Sequence, residues 1–338
     1  MSVRRYQKGD EAQIQSLFSK TFHHERPLSE WEWKFKDNPK QEKPFILVYE
    51  ENDQILGHIS LWLTEAYFHG KRATIGLRVD TMVDPSARGK GIYRKLNEVL
   101  LEEAAAEGID FIYGFPAPKA KELFIRYTNA THMTDMPRWV SIQKPFSLLA
   151  SRISALRLFK PLDRVVGLIK NKPSSDHRYH IKKLSGCDQS FDDLAKETRH
   201  LSEALVIRDA AYLNWRYLDH PTNQYELHAL YQNERLCGYA VTKEQKNSFR
   251  NGLLIDWLAV DEEAWNALLS EVIQILGDSD MIQSWALPHT NAAKAMKNHG
   301  FVHKDSPMPL VGKEITEGTS QMNDSNMWFI TPGDVDSF

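Results

Sequence analysis

A chain of 338 residues, 42% hydrophobic and 26% charged, holds enough apolar material for two cores and is too polar to be a membrane protein throughout. Its formal net charge of -3 leaves no overall electrostatic footprint for nucleic acid, so none is expected among its partners. Cys187 and Cys237 form no CxxC pair and have no histidine at ligand spacing, which excludes a disulfide framework and gives no reason to expect a metal. The first ten residues lack the apolar core of a secretion signal, and no later run has spanning length; a cytoplasmic protein is expected.

In chain order, Asp10 stands where it would cap a helix through Ile14, Leu17, Phe18 and Phe22, whose spacing is helical. Ser29 stands likewise before Trp31, Trp33 and Phe35, a second helix that must stop before Pro39. Residues 45–49 and 55–63 read as strands joined by a turn at Glu51-Asn52-Asp53. A further turn near His69-Gly70-Lys71 leads into a strand over 74–83. Residues 91–107 then carry Ile92, Leu96, Val99 and Leu100 on one helical side, with Gly108 just beyond, and 109–115 is apolar enough for a central strand.

The second half repeats the first. Trp33-Lys34-Phe35-Lys36-Asp37-Asn38-Pro39 returns 182 residues later as Trp215-Arg216-Tyr217-Leu218-Asp219-His220-Pro221. Val3-Arg4-Arg5-Tyr6 matches Ile181-Lys182-Lys183-Leu184, Gly57 matches Gly238, Val79-Asp80 matches Ile255-Asp256, and Asn129-Ala130-Thr131-His132 matches Gly300-Phe301-Val302-His303. Ordered blocks of this kind indicate duplication of one α/β unit. The exchange of Asn129 for Gly300 suits a helix end, where both residues tolerate the left-handed conformation. The units expected are 1–140, a basic linker over 141–178, a second lobe over 179–314 and a tail over 315–338.

The junction Val83-Asp84-Pro85-Ser86-Ala87-Arg88-Gly89-Lys90-Gly91-Ile92-Tyr93 carries the chemistry. A strand enters it and an amphipathic helix leaves it, so free backbone N–H groups and the positive end of the helix dipole point at whatever lies there. Glycines allow close approach, Arg88 and Lys90 add positive charge, and a pyrophosphate is the natural ligand. No Gly-Lys-Ser/Thr ending makes it a Walker loop, and it is not the dinucleotide fingerprint.

Arg88 and Gly91, after Val83-Asp84-Pro85, make this segment resemble the cofactor motif of the GNAT acetyltransferase superfamily, Arg/Gln-x-x-Gly-x-Gly/Ala after a strand ending Val-x-Pro. Tyr93 departs from it at the last position. The resemblance implies a mixed α/β fold of two tandem GNAT-like acyltransferase lobes and acetyl-CoA as co-substrate. It also implies that the backbone of Thr81, Met82 and Val83 holds the pantetheine arm, and that Arg88, Gly89, Lys90, Gly91, Ile92 and Tyr93 hold the pyrophosphate. The second lobe reads Asp261-Glu262-Glu263 after its matching strand, with no glycine. A degenerate copy that does not bind coenzyme A is expected there.

Acyl transfer to an amine needs a route for the amine proton and a donor for the departing thiolate. The resemblance places a tyrosine donor four residues before the Gly of a Gly-Phe pair; here that position is Ile125, which leaves Tyr127 or Tyr113 as substitutes, against an ordinary buried tyrosine. His23, His24 and Glu25, between the first two helices, are the base candidates, against a solvated loop; Asp80 is a further candidate with a structural alternative. Both cysteines lie in the second half, so direct transfer without an acyl-enzyme is expected. In tandem acetyltransferases of the enhanced-intracellular-survival type, which the doubled lobes resemble, the terminal carboxylate serves as base, a role that would fall to Phe338.

Residues 144–172 place Phe146, Leu149, Ile153, Leu156, Phe159, Leu162, Val166 and Ile169 at helix-like intervals among seven bases and one acid, Asp163. A linker packing its apolar face inward is the first reading and weak contact with an anionic membrane surface the second. The tail over 328–338 is apolar enough to dock, and its ending resembles those of two-lobed GNAT proteins associated with cell-surface polysaccharide synthesis. The expected acceptor is therefore a small amine, an amino sugar or a peptide-like amine. A non-catalytic acyl-CoA-binding or scaffold protein and a Fem-type aminoacyl transferase are the rival readings.

Overall fold

The computed structural model describes residues 2–151, 153, 158, 161–163 and 177–337. The first half runs β1 (Ser2–Arg5), α1 (Glu11–Phe22), α2 (Leu28–Phe35), β2 (Phe45–Glu51), β3 (Gln54–Phe68), β4 (Lys71–Val83), α3 (Ile92–Ala106), β5 (Phe111–Gly114), α4 (Pro118–Thr128) and β6 (Thr131–Ile142). After α5 (Pro145–Ala150) the order returns: β7 (Tyr179–Leu184), α6 (Gln189–Glu197), an added β8 (Ala204–Val206), α7 (Ala210–Leu213), β9 (Glu226–Gln232), β10 (Arg235–Lys246), β11 (Arg250–Ala259), α8 (Glu262–Ile275), β12 (Met281–Trp285), α9 (Asn291–Asn298) and β13 (Val302–Glu314). A short β14 (Trp328–Phe329) pairs with β8 in the tail.

The hairpins form where the turns demand it. Asn52 and Asp53 join β2 to β3 with φ of 51° and 59°, and His69 and Gly70 join β3 to β4 with 48° and 72°; two successive left-handed residues match the twist of the flanking strands. Asn129 and Gly300 end α4 and α9 at φ 52° and 74°, so the exchange between the repeats keeps one helix terminus. Two expected caps are absent. Asp10 precedes α1 but turns its carboxylate to Arg4 and the Gln7 amide. Ser29 lies inside α2, which starts after Pro27, because proline at that point already fixes the entry dihedral.

The strands form one sheet in the order β1-β2-β3-β4-β5-β13-β6-β12-β11-β10-β9-β7. β4 and β5 are parallel, as are β11 and β12. The last strand of each half crosses over: β13 pairs with β5, β6 pairs with β12, and β6 and β13 pair with each other. The repeat itself is a contact. Trp33 Nε1 donates to the Trp215 carbonyl at 2.7 Å, Trp215 Nε1 donates to the Trp33 carbonyl at 2.9 Å, and the rings stack at 5.5 Å. Trp31, Trp139, Trp257 and Trp265 are buried as well, core rather than ligand platform.

Only part of 144–172 is described. The α5 amides of Phe146 and Ser147 donate to Asp163, while Leu156, Phe159, Val166 and Ile169 lie outside the described residues. Among the described residues no helix is long and apolar enough to cross a membrane.

Candidate functional site

Parallel pairing between β4 and β5 stops at Leu77–Tyr113, although β4 continues beside β3 as far as Val83. One backbone edge of residues 78–83 is therefore left without a strand. On the other edge the register passes from Ser60–Val79 to His58–Met82, so Asp80 and Thr81 together face Ile59. This is a β-bulge, and Asp80 takes the left-handed conformation at φ 47°. Bulges of this kind re-aim groups beside functional sites. A cavity of about 550 Å³ opens here, lined by Arg78, Val79, Asp80 and Thr81 of β4, by Gly114 to Ala117 after β5, by Ala120 and Phe124 of α4, and by Tyr93 of α3. It continues to Phe18, Phe22, His24, Arg26, Glu30 and Lys34 beside the first two helices, and to Asp336 and Ser337 of the tail.

The glycine loop begins one strand end away. Asp84 shapes its first turn by accepting from the Ser86 amide at 2.9 Å and the Ser86 hydroxyl at 2.7 Å. Gly89 and Gly91 then adopt φ of 85° and 75°, with open space where a Cβ would stand. Among the described residues, helix α3 starts after Gly91 with no side-chain cap, and the amides of Gly91, Ile92 and Tyr93 have no backbone acceptor outside the helix. Such donors at the positive end of a helix dipole suit an anion. Arg88, Gly89 and Lys90 are exposed, and Lys90 lies 3.6 Å from Glu51. The residues present thus fit a pyrophosphate at the loop and an extended chain along the β4 edge, where Thr81, Met82 and Val83 stand.

Tyr93 behaves differently from a loop residue. Its hydroxyl turns inward to accept from Arg78 NH2 at 2.8 Å, and its ring meets Tyr127 at 5.6 Å. Tyr127 itself is half-buried on α4 and is absent from the cavity lining. Tyr113 is buried against Phe115 and Trp328, and burial pushes its hydroxyl well above the usual range. The two histidines part company. His23 ends α1 in the left-handed conformation and is exposed, whereas His24 folds back over Phe18, with ring centroids 5.1 Å apart, and joins the cavity wall.

Asp80, the further base candidate, sits in a buried cluster of ion pairs. Asp80 accepts from Lys34 at 2.9 Å and from Arg26, and Lys34 also reaches Asp336 at 2.7 Å. Burial by itself would raise the Asp80 carboxyl, but Lys34 and Arg26 outweigh it and hold the group well below the carboxylate range. Burial would lower Lys34, and Asp336 with Asp80 reverse that. His58 donates from Nδ1 to the Asp80 carbonyl at 2.7 Å, and burial pushes its pKa down to about 4. Arg26 and Lys34 do carry a sequence signal: Arg208 and Arg216 stand 182 residues after them.

The matching place in the second half is filled. Asp256 accepts from Arg208 at 3.0 Å, Tyr217 at 3.0 Å, Tyr239 at 2.9 Å and Thr331 at 2.9 Å, and Arg208 also holds Asp334 at 2.7 Å. The tail at Gly333 lies so close that a Cβ would come within 2.1 Å of the Tyr217 hydroxyl. The pairing of β10 with β11 also shifts register here, between Val241–Asp256 and Thr242–Leu254, but Asp256 does not take the left-handed conformation of Asp80. Helix α8 is capped by its own Asp261, which accepts from Ala264 N at 2.8 Å.

Comparison with known proteins agrees with this geometry. Residues 2–122 match the family described as an acetyltransferase (GNAT) domain. No curated protein matches the chain. A GCN5-related N-acetyltransferase from Anabaena variabilis superposes with a TM-score of 0.71 at 10% identity, over 93% of this chain and 73% of that one. A conserved protein of unknown function from Enterococcus faecalis, described as a probable N-acyltransferase, gives 0.68 at 13%, over 93% and 72%. Eis1 from Mycobacterium abscessus gives 0.62 at 12%, over 96% and 76%. Coverage this complete takes in both lobes.

Proposed function

Because the chain has the GNAT acetyltransferase fold in two tandem lobes, we propose that it is an N-acyltransferase whose first lobe alone binds acetyl-CoA and acylates a small amine, an amino sugar or a peptide-like amine. The observation that carries this reading is the uncapped, glycine-opened start of α3 beside a cavity that runs along the free edge of β4. Residues 1–140 are the working lobe, 141–178 a linker, 179–314 a degenerate lobe and 315–338 the tail.

When bound, acetyl-CoA supplies the thioester that is the acyl donor. The amides from Gly89 to Tyr93, with Arg88 and Lys90, hold its pyrophosphate. Backbone groups of Thr81, Met82 and Val83 hold the pantetheine arm, and the bulge at Asp80 and Thr81 orients the acyl group. His24 is the base of this reading rather than His23, because it lines the cavity, where an imidazole nitrogen can accept the amine proton directly or through one water. Tyr127 would have to act through Tyr93. Phe338 lies outside the described residues, and Asp336 and Ser337 bring the tail to the cavity wall.

The test is a thiol-release assay with acetyl-CoA across a library of small amines, followed by initial-rate kinetics on any acceptor found. Intersecting lines are expected, since both substrates must be bound together. Parallel lines would contradict direct transfer, and acetyl-CoA binding with no thiol release from any amine would favour the acyl-CoA-binding reading, to which Ile125 in the tyrosine position lends support.

A further inference from the structure

Arg26 and Lys34 are neutralised by carboxylates in the cavity wall; Arg78 is not. Arg78 Nε donates to the Thr81 hydroxyl at 3.1 Å and NH2 to the Tyr93 hydroxyl at 2.8 Å. Its NH1 is shielded from solvent and has no acceptor among the described residues. The guanidinium lies over Phe124, 4.3 Å from the ring centroid, and burial lowers its pKa with only Tyr93 acting against that. Even lowered, a guanidinium stays protonated. A desolvated cation with no counter-ion is costly to keep. The chain nonetheless keeps it, in the wall of the cavity beside the β4 bulge.

A fixed fork of N–H donors with an unused nitrogen fits the paired oxygens of a carboxylate. We propose that Arg78 pairs with a carboxylate carried by a substrate in this cavity, so that the enzyme selects carboxylate-bearing small molecules over neutral analogues. The inference rests on the acyltransferase reading and narrows its substrate class. Tyr93, in place of the small residue of the GNAT pattern, is a positioning residue that aims Arg78. The carboxylate has two sources, an amino-acid-like or peptide-like acceptor, or the distal end of a dicarboxylic acyl group.

Two matched pairs separate the sources in the full-length protein. Succinyl-CoA against butyryl-CoA, by calorimetry, differs only at the far end of the acyl chain. α-Amino acids and dipeptides against their amides, by thiol release from acetyl-CoA, differ only in the acceptor carboxyl. Arg78 predicts a preference of about tenfold or more for the acid in at least one pair, falling to about twofold or less in Arg78→Met. Arg78→Lys keeps the charge without the fork and gives an intermediate ratio, which serves if Arg78→Met does not fold. A merely structural arginine predicts a lower melting midpoint for Arg78→Met, whereas removal of an unpaired buried charge predicts an unchanged or higher one. No discrimination in either pair, or discrimination that survives Arg78→Met, overturns the inference. If acetyl-CoA binds and the pairs are not distinguished, this inference alone falls; if acetyl-CoA does not bind, the acyltransferase reading falls with it.

Discussion

Asp80 and Asp256 hold matching positions in the two lobes, yet one carboxylate borders a cavity and the other is enclosed. Around Asp80 the counter-ions are Arg26 and Lys34, and the residues that match Tyr239 and Tyr217 are His58 and Phe35, neither of which donates to the carboxylate. Around Asp256 two tyrosines and Thr331 complete the shell, and the tail covers it. The helix starts differ in the same sense. α8 is capped by Asp261 with Glu262 and Glu263 in its first turn, whereas α3 begins at Gly91 uncapped. Duplication thus kept one scaffold, while small polar exchanges closed one site and left the other open.

The largest effect expected is on turnover. With an acceptor in hand, His24→Gln should lower the transfer rate by about 10²- to 10⁴-fold with little change in acetyl-CoA affinity, while His23→Gln should leave the rate unchanged. Equal loss in both variants would break the distinction drawn from their placement.

Asp256→Ala should be costly in a different way. It leaves the buried Arg208 with Asp334 as its one remaining carboxylate, strips the Tyr217 and Tyr239 hydroxyls of their acceptor and removes a tail anchor, a loss of about 3–5 kcal/mol in denaturant unfolding. A loss under about 1 kcal/mol would mean that the second cluster does not hold the tail.

Acid should act on the first lobe through His58. Its folded pKa of about 4 lies below the unfolded value, so the unfolded chain binds the extra proton between about pH 6.5 and pH 4. Stability from this group is complete above that window and is lost as pH falls through it, by about 2 kcal/mol between pH 7 and pH 5. Comparing unfolding at those two pH values in wild type and His58→Gln checks this, since the variant should lose less by that amount. The matching Tyr239 does not titrate in this range, because burial raises its pKa well above the ordinary value.

The smallest effect concerns the contact between repeats. Trp215→Phe keeps the stacking on Trp33 but leaves the buried Trp33 carbonyl without its donor, and should cost about 1 kcal/mol in a thermal melt.

Much of this was legible in the chain. The repeat, the glycine loop and the hairpin turns depend on residues near one another or on blocks that recur in order, and each appears where the pattern placed it. Lys34 was legible through its match to Arg216 in the repeated block, whereas Arg26, a single charged residue in a loop, carries no pattern until its partner is known. The exchange of β6 and β13 was not legible. Both strands have equivalent sequences, so either could complete either half, and long-range register decides. Nor was the Arg78–Tyr93 pair, which joins a strand to a helix across the cavity. Composition indicated that the tail docks; ion pairs from Arg208 to Asp334 and from Lys34 to Asp336 fix where.

The claim that one lobe alone carries the co-substrate site is tested most directly by calorimetry with acetyl-CoA on the wild type, Arg88→Glu and Glu262→Ala. The account predicts one site per chain, weakened about 10²-fold by a carboxylate set against the pyrophosphate in Arg88→Glu, and unchanged in Glu262→Ala. Two sites per chain, or an affinity that ignores Arg88→Glu and responds to Glu262→Ala, would contradict it.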